Sequence, residues 1–264
     1  MPTVPGPQMI LGPRVVVQCL NTAVTTTLIN LNDSAAGQAA GAGEALEVLS
    51  GSANDAAAGT GARTVKIVYL TPAGVVAQET VTLNGTTQVA LVDTAVWRVL
   101  DIWCATFGSG GTNAGAITLR TVTGSTARFS IPIGRVRAGM GQFTVPAGYE
   151  LRLLGAQFSS GNATSATPLK LVSIIEAEVD PGTGSYVDGV FQTVLRSTGG
   201  LSRPIDYSGP PKGWGIRIPA LATVRARAAT ETGTIEVAGN MWGSLVKVGD
   251  IHRSSGPDPD GVWG

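Results

Sequence analysis

Residues 64–92 read TVKIVYLTPAGVVAQETVTLNGTTQVALV, and this stretch decides the fold class. Residues 64–69 and 75–83 are rich in Val, Ile, Thr and Tyr, residue types that suit a pleated sheet surface. Between them, residues 71–74 (TPAG) place proline second and glycine fourth, which favours a type I turn. The Asn-Gly pair at 84–85 is a second turn signal. The stretch therefore predicts a β-hairpin that is followed, across a tight turn, by a further strand.

Short β-prone segments separated by Gly, Pro and Asn turns continue along most of the chain. We expect about eight strands before residue 124 and about eight after it, a spacing typical of sandwiches and barrels. The sequence therefore predicts an all-β protein of two tandem, jelly-roll-like β-sandwiches, at residues 14–124 and 125–250. Three prolines within the first seven positions predict an extended N-terminal arm at residues 1–13. The Gly-, Pro- and Asp-rich residues 251–264 predict an extended C-terminal tail.

The composition excludes several classes of protein. The 264 residues include 36 Gly and 15 Pro, and 14% of them are charged, with 18 basic and 18 acidic side chains. A chain with 43% hydrophobic residues is unlike a disordered protein, and its glycines lack the three-residue period of collagen. The formal net charge of zero gives no electrostatic reason to bind nucleic acid or an anionic membrane. We therefore expect neither of these among its partners.

Residue types that usually carry catalysis or bind metals form no recognisable constellation in the sequence. His252 lies beside Arg253 in the tail, and two cysteines with one histidine fall short of the four ligands of a zinc site. Cys19 and Cys104 each lie in an apolar run, which predicts buried free thiols, although a disulfide between facing strands stays open. We expect no catalytic residue, no cofactor and no metal, and hence no enzyme.

Two further patterns resemble binding sites. The Asn-Asp pairs at 32–33 and 54–55 carry carboxylates of the kind that bind calcium, but too few oxygens cluster around them in the sequence. The Gly-rich stretches at 59–61 and 108–111 lack the Lys-Ser/Thr of a phosphate-binding loop. They predict turns whose glycines need positive φ.

Arginine outnumbers lysine fourteen to four, and its planar guanidinium favours protein interfaces. Glu176 and Glu178 alternate in a strand and so share one face, which indicates a solvent or subunit face. Trp97 and Trp103 lie in one apolar strand, and at least one of them is expected in the core. Other tryptophans and the arm supply further anchors for an interface. The candidate interface residues are Pro5, Pro7, Ile10, Leu11, Arg135, Arg137, Trp214, Arg225, Arg227 and Trp263.

Two blocks of the first half form a recognisable pattern: residues 51–89, GSANDAAAGTGARTVKIVYLTPAGVVAQETVTLNGTTQV, and residues 106–124, TFGSGGTNAGAITLRTVTG. In these blocks the chain resembles a family of tailed-bacteriophage virion structural proteins that are capsid-decorating or fibre-like. The second half agrees at MGQFTVPAGYELRLLGAQFSS, GVFQTVLRS and NMWGSLVKV. The resemblance covers roughly residues 46–248 and leaves out the arm, the tail and residues 210–214.

This resemblance implies a non-enzymatic component of a phage particle. In the preferred form the protein is a capsid decoration or cement protein, a homotrimer that stabilises the head shell by binding the major capsid protein. Its arm and tail would then clamp neighbouring capsid subunits. The alternative is a tail or fibre/spike component that binds host surface glycans or links other virion proteins. In both forms the protein is made in the host bacterial cytoplasm and works in the virion.

Overall fold

The structure, a computed structural model, describes residues 13–32, 43–162, 171–180, 187–197, 205–206, 216–230 and 233–248. For residues 160–162, 171–180, 187–197 and 205–206 it describes the course of the backbone alone. The predicted tail, and the predicted arm up to residue 12, lie outside the described residues.

All regular secondary structure in the described residues is β-strand, which confirms the all-β fold class. The strands are β1 (Arg14–Val24), β2 (Ile29–Asn30), β3 (Leu46–Ser50), β4 (Ala62–Leu70), β5 (Val76–Thr82), β6 (Val89–Ala90), β7 (Arg98–Phe107), β8 (Ile117–Thr121), β9 (Ala127–Ile131), β10 (Gln142–Thr144), β11 (Tyr149–Asn162), β12 (Leu171–Asp180), β13 (Val187–Ser197), β14 (Ile205–Asp206), β15 (Ile216–Ile218), β16 (Thr223–Ala228) and β17 (Ile235–Lys247).

Hydrogen bonds join these strands into four antiparallel sheets within the described part of the chain. The first sheet has the order β1-β17-β11-β14, and β15 also pairs with β11. The second has the order β10-β16-β12-β13, and β2 also pairs with β16. The third has the order β6-β3-β8-β9 and the fourth the order β5-β4-β7. The finer expectation, two jelly-roll-like sandwiches, stays a prediction.

The β-hairpin predicted at residues 64–83 is confirmed. β4 and β5 pair as far as Leu70 opposite Val76. In the turn the Gly74 amide donates to the Thr71 carbonyl at 2.8 Å, as a type I turn requires. Gly74 itself has φ +74°, the left-handed conformation that completes this kind of hairpin loop. The strand after the Asn-Gly turn is only two residues long, and it pairs with β3 of another sheet instead of extending the hairpin.

Strand pairing crosses the predicted division at residue 124. β1 pairs with β17 from Arg14 opposite Ser244 to Val24 opposite Ile235, so the first long strand joins a sheet of the second half. Conversely, β9 pairs with β8 of the first half. The pairings differ from the predicted ranges because a turn signal marks where a strand ends and not which strand it joins. The division into two folding units stays a prediction.

Buried apolar side chains from all four sheets belong to one hydrophobic cluster. Ile67 of the fourth sheet and Phe158 of the first are both buried in it, at 0% and 1% exposure. The turn of the β4–β5 hairpin also contacts the turn before β11, since the Ala147 amide donates to the Gly74 carbonyl at 2.9 Å. The sheets therefore share apolar packing as well as backbone hydrogen bonds.

Both cysteines are buried and free, which confirms the prediction of free thiols. Burial raises the pKa of Cys19 to about 12 and that of Cys104 to about 12. Both thiols are therefore protonated at neutral pH, and neither has the thiolate character of a reactive cysteine.

Candidate functional site

The sequence blocks at residues 51–89 and 106–124 meet at one fully buried carboxylate, that of Asp55. Its Oδ1 accepts the backbone amides of Ala62 at 2.7 Å and Ala114 at 2.8 Å. Its Oδ2 accepts the Gly115 amide at 2.8 Å and the Ser50 hydroxyl at 2.5 Å. Because protein donors occupy both oxygens, this carboxylate ties two loops together instead of binding calcium.

The same contacts set the protonation state of Asp55. Burial alone would raise the pKa of its carboxyl group. The hydrogen bonds from Ala114, Ser50, Gly115 and Ala62 favour the charged form more strongly, so the pKa lies below its ordinary value. Asp55 is therefore ionised at neutral pH and is not suited to act as a general acid there.

Most glycines near Asp55 lie where a side chain would collide with neighbouring atoms. A Cβ atom at Gly61 would lie 2.1 Å from Oδ1 of Asp55, and one at Gly108 would lie 2.2 Å from the Gly59 carbonyl oxygen. In the two Gly-rich stretches only Gly111 has positive φ. The expectation that these glycines need positive φ is therefore wrong for Gly59, Gly61, Gly108 and Gly110. Because they lack a Cβ atom, these glycines instead permit two backbone segments to approach closely.

Several acidic side chains of the described residues form ion pairs with arginines. No group of three or more His, Cys, Asp or Glu in this part of the chain could hold a metal ion. No helix there is long and apolar enough to cross a bilayer. The carboxylates instead fix neighbouring segments to one another. The ion pairs are Glu47 with Arg120, Glu44 with Arg128, Asp101 with Arg137, and Glu150 with both Arg152 and Arg217.

The predicted interface residues differ in their positions and exposure in the structure. Arg225 and Arg227 are half-buried in β16, where the register places them opposite Glu178 and Glu176 of β12. Arg227 also donates from Nη2 to the Leu28 carbonyl at 2.9 Å. Their part in an interface stays a prediction. Six further candidates lie outside the described residues: Pro5, Pro7, Ile10, Leu11, Trp214 and Trp263.

Arg135 and Arg137 lie in an exposed apolar loop at residues 132–137, hereafter the 132–137 loop. Ile133 is 67% exposed and Val136 48% exposed, and both arginines are exposed as well. Single exposed apolar residues are common on protein surfaces, whereas two of them within four residues are a candidate for a contact site. The loop therefore combines the apolar and arginine side chains that are typical of protein interfaces.

The 132–137 loop is fixed from both sides. The Val136 carbonyl accepts the Cys104 amide at 2.8 Å, and the Pro132 carbonyl accepts Nδ2 of Asn113 at 2.9 Å. Just beyond the loop, the Ala138 amide donates to the Ile102 carbonyl at 3.1 Å. The exposed side chains are thus presented on a backbone with a defined course.

A groove of about 280 Å³, hereafter the β1 groove, runs between β1 and the outer face of the β5-β4-β7 sheet. Its lining includes Val16, Val68, Val76, Trp103 and Phe143. Val16 is 51% exposed and Val76 is 50% exposed. The groove is therefore an apolar depression that is open to solvent.

One wall of the β1 groove is polar. Arg137 donates from Nε to Oδ1 of Asp101 at 2.7 Å, and its Nη2 contacts Oδ2 of the same carboxylate. Outside the lining of the groove, Nζ of Lys66 lies 5.7 Å from the centre of the Trp103 ring, within the range of a cation–π contact. Trp103 is half-buried, as is Trp97, so the expectation that one of them belongs to the core is wrong.

Sequence reasoning missed the β1 groove because its walls come from distant segments. One local signal was present in the run of three valines at residues 15–17. A half-buried strand alternates apolar with polar residues, so three successive valines indicate that both faces of this strand contact apolar surface. In the structure Val17 is buried while Val16, on the opposite face, is exposed. The extra valine is thus explained by the apolar groove that it lines.

No protein-family model matches this chain, and no curated protein sequence matches it either. Among solved structures it is similar to the crystal structure of the infectious bursal disease virus VP2 subviral particle, at 10% identity and a TM-score of 0.16. That match covers 94% of this chain and 85% of the viral chain. A likeness at this level carries no argument about fold or function.

Proposed function

We propose that this chain is a non-enzymatic structural protein of a tailed-bacteriophage particle, which decorates the head shell by binding the major capsid protein. The starting point is the resemblance of roughly residues 46–248 to virion structural proteins. The observation that carries the proposal is the 132–137 loop, which presents exposed Ile133 and Val136 beside exposed Arg135. These side chains suit a contact with protein better than a contact with a small substrate.

The fixed backbone of the 132–137 loop supports this role. Binding costs conformational entropy when a loop must become ordered, and a loop that already has a defined course loses less. The hydrogen bonds from Cys104 and Asn113 hold this loop before any partner arrives. We therefore assign the loop as the capsid-facing contact, with the tail as an additional clamp on neighbouring capsid subunits.

The charge distribution supports a protein partner as well. The formal net charge is zero, and Arg120, Arg128 and Arg217 form ion pairs with carboxylates of the same chain. Binding to nucleic acid draws its affinity from unneutralised basic groups. In the proposed setting the protein assembles as a homotrimer on the outer surface of the virion.

The test uses head shells that lack this chain. Purified full-length protein is added to them, and the bound fraction is measured by co-sedimentation. The Ile133→Asp, Val136→Asp double variant should bind at least about tenfold more weakly, because two apolar contacts of about 1 kcal/mol each are lost. The matched control is Val92→Asp, since Val92 is 88% exposed and lies outside the loop.

Two results would contradict the proposal. Equal binding by the double variant and by Val92→Asp would remove the loop from the contact. Electron microscopy that finds this chain on the tail and not on the head would overturn the decoration role. In the latter case binding to host surface glycans becomes the next property to measure.

A further inference from the structure

We propose that the β1 groove binds residues 1–12 of a second copy of this chain, which add a strand to the free edge of β1. The inference concerns contact between copies in solution, so it is independent of where in a phage particle the chain works. It follows from the backbone of β1, the lining of the groove and the point at which the chain enters it.

β1 has a free edge over its first residues. It pairs with β17 on one side, and on the other side the Gln18 carbonyl accepts the Gly141 amide at 2.9 Å. Alternate residues of a strand direct their backbone groups to the same side, so those of Arg14 and Val16 point the same way as the Gln18 carbonyl. Within the described residues nothing pairs with these groups of Arg14 and Val16. Such an edge is a template for an added strand.

The surface beside this edge suits an extended apolar segment. Val16 and Val76 are each about half exposed, and Trp103 and Phe143 add to the apolar side of the groove, opposite its polar wall. A strand added to β1 would direct alternate side chains into the groove, which supplies specificity while the edge supplies backbone hydrogen bonds.

Residues 1–12, MPTVPGPQMILG, fit this surface by composition. They contain no charged side chain, and their apolar residues include Val4, Ile10 and Leu11. Residues 8–12 contain no proline, so each has the backbone N–H that pairing with an edge requires. Fully extended, twelve residues reach up to about 40 Å, enough to pass from one copy to the next.

The position of Pro13 favours a second copy over the same chain. The Pro13 carbonyl accepts the Leu245 amide at 3.0 Å, so Pro13 continues the line of β1 beside β17. To lie along its own β1, the chain would have to reverse its direction immediately before Pro13. A chain that instead continues in the direction of β1 beyond Pro13 moves away from its own groove. Residues 1–12 are therefore better placed to enter the groove of a neighbouring copy.

Cysteine cross-linking of full-length chains tests this arrangement. Chains with Ile10→Cys are mixed with chains that carry Val16→Cys and a tag of different mass, and the mixture is oxidised. The natural cysteines are buried and do not compete. We expect the mixed disulfide dimer to form at least about tenfold more than with Val92→Cys in place of Val16→Cys, because docking raises the local thiol concentration.

A second variant isolates the edge itself. Val16→Pro removes an N–H that points away from β17, and proline is tolerated at an edge position of this kind. With folding verified by thermal unfolding, it should shift the sedimentation of the full chain towards smaller species. Unchanged sedimentation, or mixed dimers no more abundant than with Val92→Cys, would overturn the proposal. A disulfide that forms within single chains of the Ile10→Cys, Val16→Cys double variant would also overturn it, because it places residues 1–12 in their own groove.

Discussion

Asp55 is a single buried residue that joins two loops distant in the sequence. Its carboxylate accepts three backbone amides and the Ser50 hydroxyl, all within 2.8 Å. Gly61 and Gly108 leave the space for the loops to approach it. These residues of the two sequence blocks thus hold loops in place, and their pattern indicates a structural role more than a ligand site.

We predict that Asp55→Asn lowers the free energy of unfolding by about 3 kcal/mol at neutral pH, because an amide nitrogen replaces one acceptor and faces buried N–H groups. Chemical denaturation measures this loss. The depressed pKa sets the pH dependence: Asp55 contributes its full stability above its unfolded pKa and loses it as pH falls through the folded one. The gap between wild type and variant should therefore shrink in acid.

The control for this prediction is Asp101→Asn, which weakens the more exposed ion pair with Arg137. A pair of this kind contributes at most about 1 kcal/mol. If Asp55→Asn costs no more than Asp101→Asn, the buried carboxylate is not the anchor of the two loops.

At the scale of elements, local patterns were readable from the sequence and distant pairings were not. The β4–β5 hairpin could be predicted because both strands and the turn at Gly74 lie within one short stretch. The pairing of β1 with β17 could not, because it joins the two ends of the described chain and no local residue specifies it. The site follows the same rule, since Asp101 and Arg137 meet through the fold alone.

We predict that Gly74→Ala destabilises the protein by about 1 kcal/mol more than Gly124→Ala does. Both glycines have φ near +75°, so both variants carry the same left-handed strain. A Cβ atom at Gly74 would also lie 2.4 Å from Cδ2 of Leu221 and 3.1 Å from Cβ of Ala147, whereas at Gly124 nothing lies within 4 Å. Thermal unfolding of the two variants measures the difference.

The extra loss should come from the joint between the hairpin turn and the neighbouring segments. Adding Leu221→Ala to Gly74→Ala removes the nearest atom and should recover part of the difference in a double-mutant cycle. Equal losses for the two glycine variants would mean that the turn does not pack tightly at this joint.

At the scale of the whole molecule, the single hydrophobic cluster predicts one cooperative unfolding transition. Ile67→Ala perturbs the fourth sheet and Phe158→Ala the first, and both side chains are buried. Each should cost about 3–4 kcal/mol, and each should move the same calorimetric peak to lower temperature. Two separate peaks, with each variant moving a different one, would contradict the single unit and would support the predicted division into two sandwiches. The crossing of β1 and β9 between the two halves favours one peak, because neither half of the sequence contains all the strands of its sheets.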